Sequence, residues 1–241
     1  MLGLLLLATL WQALSMYIGQ KTMVFPDPVS TIKYALYLLG RPYTYRCIFS
    51  TMGKMLTGFA ISMVIGVILG VIAGNNGFIE KIISPTIITL RAIPTASLIY
   101  VFIVLAGFRL APMFLVVLIC FPIIYEGTAG GIRNIPDQII KASKVDGSGY
   151  FMGNLRIKLP LAFPYILVAM LSSFSLAFKI EIMAEVITGG SNPGLGSAIL
   201  GARSSDPTNM IPIFAYSLIA VMIMLMIDLV SGLIGRSRDL N

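Results

Sequence analysis

Residues 51–73 read TMGKMLTGFAISMVIGVILGVIA, an apolar run interrupted by one charge, Lys54, and followed by Gly74-Asn75-Asn76-Gly77. A run of that length matches the ~20 residues an α-helix needs to cross a bilayer, and the glycine–asparagine quartet ends it in a turn. Gly58, Ser62, Gly66, Gly70 and Gly74 recur every four residues. Small side chains therefore share one helical face, and in lipid such a ladder lets a second helix approach closely. Packing within the protein is the favoured reading of this ladder, ahead of a dimer seam or a pathway wall.

The rest of the chain repeats the pattern. Of 241 residues, 57% are hydrophobic and 11% charged, with a mean hydropathy of +0.93. A soluble domain carries about a quarter charged residues, so this chain cannot cover itself with polar surface in water. The composition predicts an all-α integral membrane protein of about six transmembrane helices, organised as one membrane domain over 1–241. The expected spans are about 1–19, 51–73, 82–105, 112–131, 161–187 and 210–234. The stretch from Met1 to Leu10 has no basic segment before it and no small-residue cleavage site after it, so it reads as the start of the first span rather than a signal peptide.

Between the spans, Pro26 and Pro28 break the chain, and Ser30 or Thr31 is placed to cap a short helix lying at the membrane surface. Pro85 and Pro94 interrupt the third span. A short turn around Gly107 and Arg109 makes the third and fourth spans antiparallel neighbours. The stretch from Thr188 to Asp206 reads as a glycine, serine, asparagine and proline loop.

Several function classes fall away at this stage. The net charge of +7 comes from Lys and Arg scattered between apolar spans, which fits a membrane surface and not a nucleic-acid stripe. Histidine is absent and the cysteines, Cys47 and Cys120, stand far apart. No catalytic residue, metal site or cofactor-binding residue is assigned to this chain. Gly189 to Gly196 is glycine-rich but lacks the lysine of a phosphate loop, so no nucleotide-binding site is assigned to it.

One long polar stretch, Arg133 to Lys158, lies between the fourth and fifth spans and carries a spaced pattern. Lys141-Ala142-Ser143 is followed after three residues by Gly147, and after nine more by Ile157-Lys158-Leu159-Pro160. This resembles the EAA loop of ABC-importer permeases, with Lys141 standing where the family usually has Glu and Ser143 where it has Ala. The pattern describes a short helix, a glycine turn and a second helix stopped before Pro160. Shorter resemblances follow in the same order as in the nitrate/sulfonate/taurine branch of that family. They are Phe25-Pro26-Asp27-Pro28, Leu90-Arg91-Ala92-Ile93-Pro94, and Ala184-Glu185 with Gly194-Leu195-Gly196. The likeness covers about 51–236, with the coupling loop at 133–160.

That resemblance implies the type I importer permease fold with cytoplasmic coupling helices, in a multi-pass protein of the bacterial cytoplasmic membrane. It implies a loop, through Lys141, Ala142, Ser143, Gly147, Ile157, Leu159 and Pro160, that docks into an ATPase. Two such ATPases would hold the ATP and magnesium. A second permease copy would complete a homodimer, and an extracytoplasmic substrate-binding protein would deliver a sulfonate, taurine or nitrate-like anion. Thiamine precursors and other small heterocycles are the substrate alternative. Placing the basic loop and tail inside puts both termini in the cytoplasm.

Ionisable groups in apolar spans need partners or water, which singles out Arg91, Glu126, Lys179, Glu181, Glu185 and Asp228. Glu181 and Glu185 lie four apart and share a helical face. That face either borders the translocation pathway or joins an ion-pair network with Arg91 or Lys179. The rival class is a secondary transporter or channel without an ATPase, which favours an internal repeat that the sequence does not display.

Overall fold

In the computed structural model the chain is described over residues 2–19, 25–136, 138–139, 157–189 and 193–236. Among these residues the secondary structure is helical throughout: α1 (Leu2–Gly19), α2 (Pro28–Leu39), α3 (Pro42–Asn75), α4 (Gly77–Ala92), α5 (Thr95–Arg133), α6 (Leu159–Thr188), α7 (Leu195–Ser205) and α8 (Ile211–Arg236). By length and composition, Pro42–Asn75, Thr95–Arg133, Leu159–Thr188 and Ile211–Leu233 are each able to cross a bilayer. The expected six spans hold as an approximate count, because α1 covers the first expected segment and the third is divided between α4 and the beginning of α5.

That division has a local cause. Proline at 94 pushes Ile93 out of the helical region, to φ −74 and ψ 130, and α4 stops there. Thirteen residues on, Gly107 adopts φ 75 and ψ 167, a backbone state that glycine enters without steric penalty, and α5 folds back on itself. The rings of Phe102 and Phe114 stack with centroids 5.9 Å apart across this reversal. Further from the bend the same register pairs Arg91 with Glu126 and Glu80 with Arg133. The antiparallel hairpin expected around Gly107 is therefore present, running from Glu80 to Arg133.

The small-residue ladder of α3 receives the returning limb of α5. A Cβ placed on Gly66 would lie 2.8 Å from the Ile124 Cβ, and one on Gly70 would lie 2.5 Å from the Thr128 Cβ. No side chain larger than hydrogen fits at either position without parting the two helices. Ser62 donates to its own turn at Gly58 O (2.8 Å) and across to Val117 O (3.2 Å). These contacts rise in step along both chains, so α3 and the second limb of α5 run parallel. Helix α6 runs antiparallel to both, with the Phe59 and Phe174 rings edge to face at 5.0 Å and Cys120 Sγ 3.5 Å from Ser173 O. Packing of α3, α5, α6 and α8 buries Met55, Leu115, Val116, Phe178 and Ile219 in one core.

Three boundaries differ from the sequence expectation. Helix α2 is capped by Asp27, not by Ser30 or Thr31: its carboxylate accepts the Ser30 N–H at 2.9 Å and Pro28 occupies the first turn. Proline there has no N–H to satisfy and a φ already set for a helix, so the cap falls one residue before it. That hydrogen bond holds the Asp27 carboxyl below its ordinary range. Helix α3 begins at Pro42 and not near Thr51, because residues 43–50 keep a buried face through Thr44 and Cys47. The expected loop from Thr188 to Asp206 contains α7, whose first turn, through Leu195, Gly196, Ser197 and Ala198, is buried.

Candidate functional site

Polar groups converge in three places, one at each end of the bundle and one on a side face. The end formed by the start of α3 and the close of α6 holds a buried knot. Glu185 Oε1 accepts from Lys54 Nζ at 2.5 Å, and its Oε2 accepts from Thr51 Oγ1 at 2.8 Å and from the Gly196 N–H at 3.0 Å. Thr51 Oγ1 in turn accepts the Leu195 N–H at 2.9 Å. The first two amides of α7 are thus spent on α3 and α6, which satisfies donors that a helix start leaves open. Glycine is needed on both sides of Leu195: a Cβ at 194 would lie 2.4 Å from Glu185 Oε1, and one at 196 would lie 2.3 Å from Ile182 O.

Glu181, one turn before Glu185, is fully buried, and its nearest cation is the same Lys54 at 4.0 Å. Neither of its carboxylate oxygens has a hydrogen-bond partner among the described residues. The cation that meets this acidic face is Lys54, and neither Arg91 nor Lys179. Lys54 stands in the sequence as the one charge of its apolar run, outside the set of ionisable candidates. A lone ionisable residue in an apolar run was the available signal, since such residues seek a partner. Nothing in the sequence marked Thr51.

The side face carries the remaining candidates. Arg91 and Glu126 form an ion pair with side chains 51% and 45% exposed. Beside Glu126 a cavity of about 400 Å³ is lined by Gly127, Gly130 and Gly131 of α5 and by Tyr165 and Val168 of α6. From there a stripe runs along α6 through Tyr165, Val168, Ser172, Ser175 and Lys179, at the spacing that keeps residues on one side of a helix. Ser172 and Lys179 are exposed, and Ser175 donates its hydroxyl to Oδ1 of Asp228, itself exposed on α8. Four of the six ionisable candidates therefore lie on one surface, and the two glutamates of α6 point inward.

At the opposite end of α3, Lys158 bonds to Asn75 and Arg133 pairs with Glu80. These contacts tie both flanks of the polar loop to the hairpin and to α3. Leu159 and Pro160 open α6 here, and Ile157 directly precedes its cap residue Lys158. The remaining loop positions of the spaced pattern, Lys141, Ala142, Ser143 and Gly147, lie outside the described residues.

Comparison with known proteins gives these features a context. The family model described as "Binding-protein-dependent transport system inner membrane component" matches residues 53–238. SsuC of Bacillus subtilis, which carries the name of an aliphatic sulfonates transport permease, is 26% identical over 88% of this chain and 77% of its own length. NrtB of Synechocystis sp., named as a nitrate import permease, is 26% identical over 83% of this chain and 74% of its own. In fold, the chain is similar to a permease chain of the MetNI methionine ABC transporter in an inward-facing conformation, with a TM-score of 0.65 at 20% identity over 83% of this chain and 96% of that one. With three-quarters of its length inside the family match, the chain belongs to the binding-protein-dependent transport system inner membrane components, as a non-catalytic, multi-pass ABC-importer permease whose ATP hydrolysis and solute capture fall to a separate ATPase and a substrate-binding protein.

Proposed function

We propose that the chain acts over 1–241 as a single permease domain, pairs with a second copy of itself, and lines the path of a small sulfonate- or nitrate-like anion. The observation that carries this reading is the side face. Arg91, Glu126, Lys179 and Asp228 are exposed there on helices whose outward side chains are mostly apolar. A charge at the centre of a bilayer helix is unfavourable by roughly 2.5–3.5 kcal/mol on insertion scales. Four of them on one face are stable only against water or against another protein. A second copy turned face to face supplies both: its rim seals the lipid out, and the stripes of the two chains enclose a wet path.

The ends of the bundle have separate parts in this reading. The Arg133–Lys158 segment faces the cytoplasm, with both termini, and grips one of two ATPases that carry ATP and magnesium. Its flanking ties, Lys158 to Asn75 and Arg133 to Glu80, make any movement of the loop a movement of α3, α5 and α6 together. The Glu185 knot, about 36 Å away by the rise of α3, fixes α7 at the outer side, where the substrate-binding protein delivers solute. Transport is then a switch between two packings, biased from the cytoplasmic side by the ATPases.

Reconstitution tests it. The permease assembled with its ATPase and binding protein in vesicles is expected to accumulate an aliphatic sulfonate or nitrate only with ATP. Uptake by the permease alone, or uptake unaffected by vanadate, contradicts the proposal.

A further inference from the structure

Two glutamates of α6 face one lysine, and only one of them is served. Lys54 Nζ is 2.5 Å from Glu185 Oε1 and 4.0 Å from Glu181 Oε1. Glu185 has three donors, whereas both Glu181 oxygens lack a hydrogen-bond partner among the described residues, although that side chain is 0% exposed. A buried polar atom left unpaired is unfavourable, because it has given up water and received nothing in return. The strain is relieved wherever water or a donor reaches it. Helix α7 lies over the same stretch: it rests on α6, α8 and the start of α3, and a Cβ at Gly196 would meet Ile182 O, the Glu185 Cβ and the Val186 N.

We propose that Glu181 keeps α7 detachable: it is the second seat for the Lys54 ammonium, unpaired while α7 is docked and paired when α7 lifts in the transport cycle. With α7 docked, Lys54 is committed to Glu185, which also holds the Gly196 N–H. When α7 lifts, water replaces that N–H on Glu185 and Lys54 turns to Glu181. The shortfall from a hydrogen bond of ~2.9 Å is about 1 Å, which a flexible lysine stem covers with no movement of α3 against α6. The docked state satisfies the backbone of α7 and leaves Glu181 unpaired; the lifted state does the reverse. Two packings that each leave something unsatisfied lie close in free energy, as a switch requires. Glu185 and Glu181, one turn apart on one face, therefore act in opposite senses: the first fastens α7 and the second loosens it. The inference takes from the proposed function only the placing of α7 on the outer side.

The test is hydrogen exchange at the Leu195 and Gly196 amides of the assembled, membrane-embedded transporter, with the buried stretch Leu115 to Cys120 of α5 as reference. Glu181→Met keeps an unbranched side chain and removes its oxygens. It is expected to slow exchange at both amides about 10-fold, the effect of relieving one unpaired buried polar group, and to leave the reference unchanged. Glu181→Leu is expected to behave alike. Adding Thr51→Val, which removes the acceptor of the Leu195 N–H, is expected to restore fast exchange. In the unaltered complex, ATP, magnesium and vanadate are expected to speed exchange at the two amides, and to do so less in Glu181→Met. Co-purified ATPase reports assembly. Exchange that is unchanged or faster in Glu181→Met and Glu181→Leu overturns the inference, as does failure of both to assemble, since Glu181 is then a structural member of the knot. Exchange unmoved by vanadate in the unaltered complex overturns the link to the transport cycle. No arm uses a transported solute, so a failure of the pathway reading shows in uptake and a failure of this inference in exchange.

Discussion

Lys54–Glu185 and Arg91–Glu126 each join two helices of one apolar bundle, yet Glu185 is 1% exposed and Glu126 45%. The first carboxylate is closed off by three donors: an ammonium, a hydroxyl and a backbone N–H. The second has its one arginine and an open surface beside it. A buried charge whose two oxygens are both hydrogen-bonded is complete within the chain. A half-exposed pair on a membrane helix is not, because hydrocarbon offers it nothing. The same residue types thus serve as an internal fastener in one region and, by our proposal, as part of a wet wall in the other.

Removing each carboxylate separates the two roles. Glu185→Ala strands Lys54, Thr51 and the Gly196 N–H at once. It is expected to lower unfolding stability by about 3–5 kcal/mol, the range for breaking a buried pair from one side, as read by denaturant or thermal unfolding of the purified protein. Gly196→Ala attacks the same knot from α7, where the new methyl would meet Ile182 O at 2.3 Å. Overpacking of that kind is destabilising by about 1–3 kcal/mol, and hydrogen exchange at the Leu195 and Gly196 amides is expected to accelerate.

A smaller effect is expected at a site remote from both regions. Asp27→Ala removes the cap of α2, a loss of about 1 kcal/mol. Because the Ser30 N–H holds the folded Asp27 carboxyl below its ordinary pKa, its stabilisation is complete above the ordinary carboxylate range and fades as pH falls through the lower folded pKa. The difference between wild type and Asp27→Ala is therefore expected to shrink below about pH 4. Glu126→Gln completes the order: a half-exposed pair contributes at most ~1 kcal/mol, so stability barely moves while uptake falls. Equal destabilisation by Glu185→Ala and Glu126→Gln would erase the contrast between the two regions.

Much of the architecture was legible in the chain itself. Apolar runs of bilayer length, the ladder from Gly58 to Gly74, and the Gly107 turn are local signals, and the helices form and pack as those signals require. The division at Ile93–Pro94 was marked by its proline, but how far the hairpin extends depends on register between segments that no local pattern reports. Helix α7 was hidden for the same reason, since Leu195–Ser205 is glycine- and serine-rich and gains its order by docking its first turn onto Glu185. The ionisable candidates were found by their cost in lipid, but cost alone does not tell an inward carboxylate from an outward one. Glu185 and Glu126 look alike until the helices on which they sit are packed.

Water at the side face is the central claim, and cysteine labelling in the assembled, membrane-embedded transporter reads it directly. Native Cys47 and Cys120 are buried and give a low background. Ser172→Cys is expected to react readily with a membrane-impermeant, water-soluble maleimide, while Ile68→Cys, on an exposed apolar position within the membrane run of α3, stays unlabelled. Ser172→Cys as inert as Ile68→Cys would contradict the account, because the charged face would then be sealed from water in the working complex.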